Sequence, residues 1–349
     1  MPKPSTALAA LLLAVTAARA GGVHLLRSLP VGGPGGWDYV TLDSAHHRLY
    51  VPRFDRVMVL DLDGKVVGTI PGTEGVHGVA LAPDLDRGFS SNGRSQSVTI
   101  FRPSTLEVLG RMKATGAGPD AILYDPFTRR VFSFNGQGKD ITAYDAAKGT
   151  VVGAIPLGHK PEFAVADGKG RIFVNLEDAS EVAAIDAQTL KVLHRWPLAP
   201  VEEPSGMAMD RLHRRLFIVG RNKLMAVMDA DSGKVVATPA IGAGADAAAF
   251  DPGTGIAYSS NGEGTLTVVR QDAPDAYTVL EQAPTQRGAR TMALDEATHL
   301  LYLPTADFQP APPQAPGAPR QRPGLVPDSF RILVVGRKST STRSTEAPP

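Results

Sequence analysis

Short apolar runs, four to six residues long and alternating or β-branched, recur along the chain with turn residues between them. Alternation and β-branching over so few residues mark strands rather than helices. One stretch shows the unit plainly. Phe163-Ala164-Val165-Ala166-Asp167 gives a first strand and Arg171-Ile172-Phe173-Val174-Asn175 a second, with Glu181 to Asp186 and Lys191 to Trp196 completing the set. The position of Asp167 recurs at Asp43, Ala82, Asp125, Asp210, Asp251 and Asp295, at intervals of 39 to 44 residues. Four short strands per interval of that length is the period of a β-propeller, whose four-stranded sheets bury both faces against their neighbours. The pattern predicts an all-β fold: a seven-bladed β-propeller with four antiparallel strands per blade.

The turns fit this division. Asn92-Gly93, Asn135-Gly136 and Asn261-Gly262 read as hairpin turns between second and third strands. Asp63-Gly64, Lys148-Gly149 and Ser232-Gly233 turn the third strand into the fourth. The seventh unit is incomplete: Thr291 to Leu294, Leu300 to Leu303 and Arg331 to Val335 supply three strands, and none follows Gly336. Val23 to Leu29, ahead of the first unit, supplies the missing one. The N-terminal strand is therefore expected to close the ring as the outer strand of the last blade, leaving no open seam. Blade 7 also carries an insertion, 308–329, with seven prolines. Pro-rich chain favours extended conformers, so this segment reads as a disordered excursion or as an arm over the channel mouth.

Arg48-Leu49-Tyr50-Val51, Ser180-Glu181-Val182-Ala183-Ala184-Ile185-Asp186 and Thr189-Leu190-Lys191-Val192-Leu193 resemble the YVTN repeat of YncE-like exported bacterial proteins. The resemblance covers roughly residues 22–336. It implies the propeller fold and carries no activity, because that family is mostly of unassigned function. The marks of WD repeats, sialidases and kelch repeats are absent from the sequence. The vicinal disulfide of quinoprotein dehydrogenases is excluded, since the chain contains no cysteine.

The ends extend the picture. Lys3, the apolar run Ala7 to Ala18 and the Ala18-Arg19-Ala20 cleavage pattern read as a signal peptide over 1–20, followed by the propeller over 21–336 and a Ser/Thr/Pro-rich disordered tail over 337–349. The apolar run is shorter than the ~20 residues of a membrane span, so no transmembrane anchor is expected after cleavage. Export points to the periplasm or beyond, and a monomer is expected. Without Lys3 and Arg19 the charge is 34 positive against 35 negative, a net of −1. So balanced a chain has no general electrostatic claim on nucleic acid.

Chemistry is expected where the loop before each inner strand meets the channel mouth. Counting back five residues from each anchor gives Asp38, His77, Asp120, Glu162, Ser205, Asp246 and Arg290, all polar beside apolar strands. Such a ring is a ligand-binding candidate. His77, Asp120 and Glu162 are its candidate ligands for a divalent metal ion, the one cofactor the sequence suggests. Arg290 suits a carboxylate or phosphate. His159 is placed near the same rim. Arg53, Arg94 and Arg221, in the loops between second and third strands, are further contact candidates, while the Asn residues there read as turn formers. Trp37 either stacks on a ligand or packs between the first and last blades. The same ring supports three readings: polar groups with a structural role, a scaffold binding a small molecule, metal ion or exported protein, and a metal-assisted lactonase or lyase. Gly242-x-Gly244-x-x-Ala247 matches a dinucleotide fingerprint only as text, because no helix follows it.

Overall fold

A computed structural model describes residues 22–310 and 323–337. Seven four-stranded antiparallel sheets are arranged in a ring, each running from an inner to an outer strand. Blade 4 is built from Pro161–Ala166, Arg171–Leu176, Glu181–Asp186 and Lys191–Pro197, each end within two residues of the boundary that alternation predicts. In blade 7, Ala293–Asp295, Leu300–Thr305 and Arg331–Arg337 are followed in space by Val23–Pro30, the first strand of the chain. Val23 pairs with Arg337 and Pro30 with Arg331, so the N-terminal strand covers the whole edge. Arg337 thus belongs to the last strand rather than to a tail. Residues 1–21, 311–322 and 338–349 lie outside the described residues, and with them the signal peptide, most of the Pro-rich insertion and the rest of the tail.

The sevenfold anchor has a local cause. Each anchor aspartate ends an inner strand or, as Asp167 does, directly follows one, and its carboxylate accepts amide N–H groups from the following residues. Asp125 takes those of Phe127 and Thr128, Asp167 those of Lys169 and Arg171, and Asp210 those of Leu212 and His213. These are turns closed by an Asx side chain. At Ala82, where the carboxylate is missing, a 3-10 turn over Pro83–Leu85 takes its place. His46 lies on such a turn but is not simply solvated, since its Nδ1 sits 2.8 Å from Asp43 Oδ2.

The outer strands share a second regularity. Each is bulged once against the third strand, leaving one extra residue: Val67, Leu109, Val152, Leu193, Val236, Leu280 and, in blade 7, Leu26. A bulge breaks the ladder that a second sheet edge would need, so the apolar perimeter does not invite edge pairing.

The Asn-Gly pairs are not the two-residue turns the sequence suggests. Asn92, Asn135 and Asn261 end their strands fully buried. Their side-chain amides donate to threonine hydroxyls of the third strand, Thr99, Thr142 and Thr267. The positive φ of each loop falls later, at Gln96, Lys139 and Gly264. Burial satisfied by a cross-strand bond outweighs the tolerance of Asn for the left-handed region.

The ring closes through apolar packing between blades 7 and 1. Tyr302, Ile332 and Val334 share a core with Leu49, Val51 and Leu60, capped by Leu29 and Trp37. Trp37 packs against Phe330 and Phe308, with ring centroids 5.6 Å and 6.3 Å apart. This decides its role for the seam, although one edge also borders the channel mouth. Phe308 forms a bridge with Leu325, so the neck of the Pro-rich insertion is a short antiparallel ribbon seated against Trp37.

Candidate functional site

The ring side chains are aimed by a repeated backbone device. Two residues before four of them stands a glycine with positive φ: Gly75 before His77, Gly118 before Asp120, Gly244 before Asp246 and Gly288 before Arg290. The first three glycines accept, through their carbonyls, the N–H of Gly93, Gly136 and Gly262 in the facing hairpins. The inner strand then loses register, between Val76 and Gly78, between Pro119 and Ile122, between Pro161 and Ala164, and between Ala245 and Ala247. His77, Asp120, Glu162, Ser205 and Asp246 occupy such irregularities, which turn their side chains out of the strand's alternation and toward the channel, whereas Asp38 and Arg290 stand in the loops ahead of their inner strands. The neighbouring blade fixes the backbone there. Ser91 donates to the carbonyl of Asp120, Asn175 to that of Ser205, Ser260 to that of Arg290 and Thr291 to that of Asp38.

Five of the seven side chains join in one chain of alternating charge across blades 6, 7, 1, 2 and 3. Arg290 Nε donates to Asp246 Oδ2 at 2.6 Å, and its NH2 reaches Asp38 Oδ1 at 3.5 Å. The other oxygen of Asp38 lies 2.7 Å from His77 Nδ1, which also stands 3.5 Å from Asp120 Oδ1. Glu162 belongs to a second group: Lys160 Nζ is 2.8 Å from its Oε2 but is aimed at Glu177, so that buried oxygen has no hydrogen-bond donor. Ser205 joins neither group, because its hydroxyl donates to the carbonyl of Ala245 at 3.0 Å.

This corrects the donor set expected from sequence. The His and carboxylate oxygens that come within 4.8 Å of one another belong to Asp38, His77 and Asp120, with Asp38 in place of Glu162. His159 faces Asp178 on the outer part of the top surface rather than the ring. Arg53 is wholly buried in the seam, and Arg221 pairs with Glu203 at 2.9 Å. Arg94 does border the mouth, with its guanidinium 4.5 Å from the centre of the Phe54 ring.

Below the ring the channel is plugged. Tyr39 of blade 1 meets Phe163 of blade 4 across the axis, with centroids 5.2 Å apart. Both directly follow ring residues, where blades 2, 3, 5 and 6 have only glycine or alanine. Burial, then the charges of Asp120, Glu162, Asp38 and Asp246, push the Tyr39 hydroxyl well above its ordinary pKa. The mouth forms a pocket of about 660 Å³ over blades 1 to 4. Trp37, Phe54 and Arg94 wall it on one side, Gly75, Gly93, Gly118 and Gly136 leave it open backbone, and Asp38, His77, Asp120 and Lys160 supply charge.

The pocket holds its charges under strain. Burial raises the Asp120 carboxyl to about 6, against the opposing charge of His77. Burial and the charge of Asp120 push Glu162 to about 8. Burial disfavours a charged His77, but the hydrogen bond to Asp38 and the surrounding carboxylates outweigh it and bring the imidazole to about 9. These shifts favour a protonated Glu162 and a charged His77 at neutral pH.

Folded Glu162 keeps its proton up to about pH 8, whereas the unfolded group releases it near 4.5. Between those values the native state binds the extra proton, so its stability falls as pH rises. Thermal melting of the parent should drop from pH 5 to pH 9. Glu162→Gln should match the parent at pH 5 and melt several degrees above it at pH 9. Parallel melting curves at all pH values would show that Glu162 is ionised throughout.

Lys160 and Tyr39 are the site residues that sequence reasoning misses. Lys160 had a signal, since it stands two before its ring residue, where five other blades place glycine. Tyr39 and Phe163 had only their bulk at positions otherwise small.

No family model matches this sequence, and no curated protein does. Solved structures do match. The WD40 repeats of RRP9 align over 91% of this chain and 98% of theirs, with a TM-score of 0.73 and 11% identity. A chain of the Mitotic Checkpoint Complex aligns over 87% of this chain and 95% of its own, with a TM-score of 0.70 and 16% identity. A chain of Kuenenia stuttgartiensis hydrazine synthase aligns over 83% and 95%, with a TM-score of 0.67 and 14% identity. What they share is the propeller. At these identities the likeness shows the fold alone.

Proposed function

We propose that this propeller is an exported binding protein of the YVTN/YncE-like kind whose channel mouth takes a small polar ligand. The observation that carries the reading is the charge chain Asp246–Arg290–Asp38–His77–Asp120, of which Asp38, His77 and Asp120 line a pocket of about 660 Å³. A concave site with a few convergent polar groups and displaced pKa values is the usual form of a ligand site. Propellers also serve as scaffolds, and a similar chain is part of the Mitotic Checkpoint Complex. The size of the pocket favours a small molecule here.

Thermal shift of the chain from Gly21 onward tests this against three probe classes: small dicarboxylates, small amines and monosaccharides. At least one class should raise the melting temperature of the parent and leave the double variant His77→Gln/Asp120→Asn unmoved. Equal responses of parent and variant to every class would rule the mouth out as the binding site. Expression of the whole sequence should place the protein in the periplasmic fraction with Gly21 at its N-terminus. Retention in the cytoplasm with Met1 intact would overturn the export reading.

A further inference from the structure

We infer that Asp38, His77 and Asp120 form a site for a divalent transition-metal ion, open on one side to the pocket. The inference rests on the channel mouth being the binding site and names what anchors its ligand. One imidazole and two carboxylates form a mixed nitrogen and oxygen donor set. Such a set suits Zn²⁺ or Mn²⁺ better than Ca²⁺, which takes six to eight oxygens, roughly, in a larger cage.

The geometry supports it at three levels. First, the donors are already gathered. His77 Nδ1 is 2.7 Å from Asp38 Oδ2 and 3.5 Å from Asp120 Oδ1, and all three atoms fall within 4.8 Å. Donors on a common ion at about 2.0–2.2 Å stand roughly 3 to 3.5 Å apart. The contacts to His77 bracket that range, and the ion takes the place of the proton that Nδ1 shares with the carboxylates.

Second, the next layer of contacts is that of a held ligand. Asp38 turns only one oxygen to His77; the other faces Arg290 at 3.5 Å, and Arg290 is fixed in turn by Asp246. Such outer contacts orient metal-binding carboxylates. Third, the imidazole has room on its far side because position 93 is glycine. A Cβ there would come within 3.0 Å of His77 Nε2. Asp38, His77 and Asp120 themselves line the pocket, which leaves coordination positions open to water or a ligand.

The test uses the chain from Gly21 onward, stripped with EDTA and titrated with ZnCl₂, MnCl₂ and CaCl₂ by calorimetry, with elemental analysis for stoichiometry. One Zn²⁺ or Mn²⁺ per chain is expected, with CaCl₂ bound more weakly than both. His77→Gln and Asp120→Asn should lose that ion. Arg290→Met should bind it about tenfold more weakly. His159→Gln, away from the ring, should bind as the parent does. Gly93→Ala is the control for a ligand variant that fails to fold: it leaves all donors in place, crowds the imidazole and should also weaken binding. No uptake by the parent, or unchanged uptake in His77→Gln or Gly93→Ala, overturns the site. If the organic probes still shift the stripped protein while no metal binds, the metal inference fails and the mouth remains a binding site. If neither binds, both readings fail.

Discussion

A chain starting at Val31 should not fold to a monomer. The strand it lacks, Val23–Pro30, is the fourth strand of blade 7 and pairs along the full length of Arg331–Arg337. It also ties blade 7 to both neighbours. The amide of Val23 donates to Glu281 of blade 6 at 2.8 Å, and Arg27 pairs with Asp63 of blade 1 at 2.7 Å. Leu29 packs beside Gly64, where a Cβ would come within 2.8 Å of it, so the turn of blade 1 is shaped to this strand. Deletion uncovers the edge of Arg331–Arg337 and the apolar groups that Val23 and Leu29 cover. Lost pairing, lost burial and an open edge together should cost at least about 5 kcal/mol, comparable with the whole stability of a typical domain. Size exclusion should show aggregate in place of monomer. A synthetic peptide of residues 22–31 should restore monomer in trans by strand addition. A truncated chain that stays monomeric and melts within about 5 °C of the parent would show that the closure carries little of the stability.

That closure was legible in the sequence because it is an arithmetic consequence of the repeat: three strands at one end and one at the other. The anchors were legible for a local reason, since an aspartate that closes its own turn needs only residues two to four positions away. The ring followed from the same register. What stayed hidden depends on contacts across the ring. Glu162 and Asp38 occupy equivalent positions, yet Lys160 draws one away while His77 and Arg290 hold the other in the cluster. The meeting of Tyr39 with Phe163 is set by the diameter of the channel rather than by any spacing along the chain. Asn92 and its counterparts misled because the left-handed preference of Asn is a local tendency, and the burial that overrode it is tertiary.

Arg53 shows the same limit and should give the larger effect of any single substitution at the seam. Its position in a loop of the mouth suggested contact with a ligand, but its side chain is fully buried. NH2 donates to the carbonyls of Gly33, Pro34 and Gly35 at 2.7, 3.0 and 2.9 Å. The guanidinium lies 3.7 Å from the centre of the Phe330 ring. No carboxylate pairs with it among the described residues, and burial, followed by the charge of Arg56, lowers its pKa to about 10. The three carbonyls belong to a loop in which Gly32, Gly33 and Gly35 have positive φ, and that loop leads directly to Trp37 and Asp38. Arg53 therefore fixes the entry of the chain into the first blade and, through it, one arm of the charge cluster. Arg53→Met keeps most of the volume and removes the buried charge, which offsets part of the loss. It leaves three carbonyls without their donor and Phe330 without its cation, so a net loss of about 2–4 kcal/mol is expected. Arg53→Lys should do no better, because the ammonium loses the planar contact with Phe330 and is costlier to desolvate. Melting temperatures should fall by roughly 5–10 °C in both variants. Either variant melting within about 1 °C of the parent would show that the loop is held by its own backbone and the apolar seam.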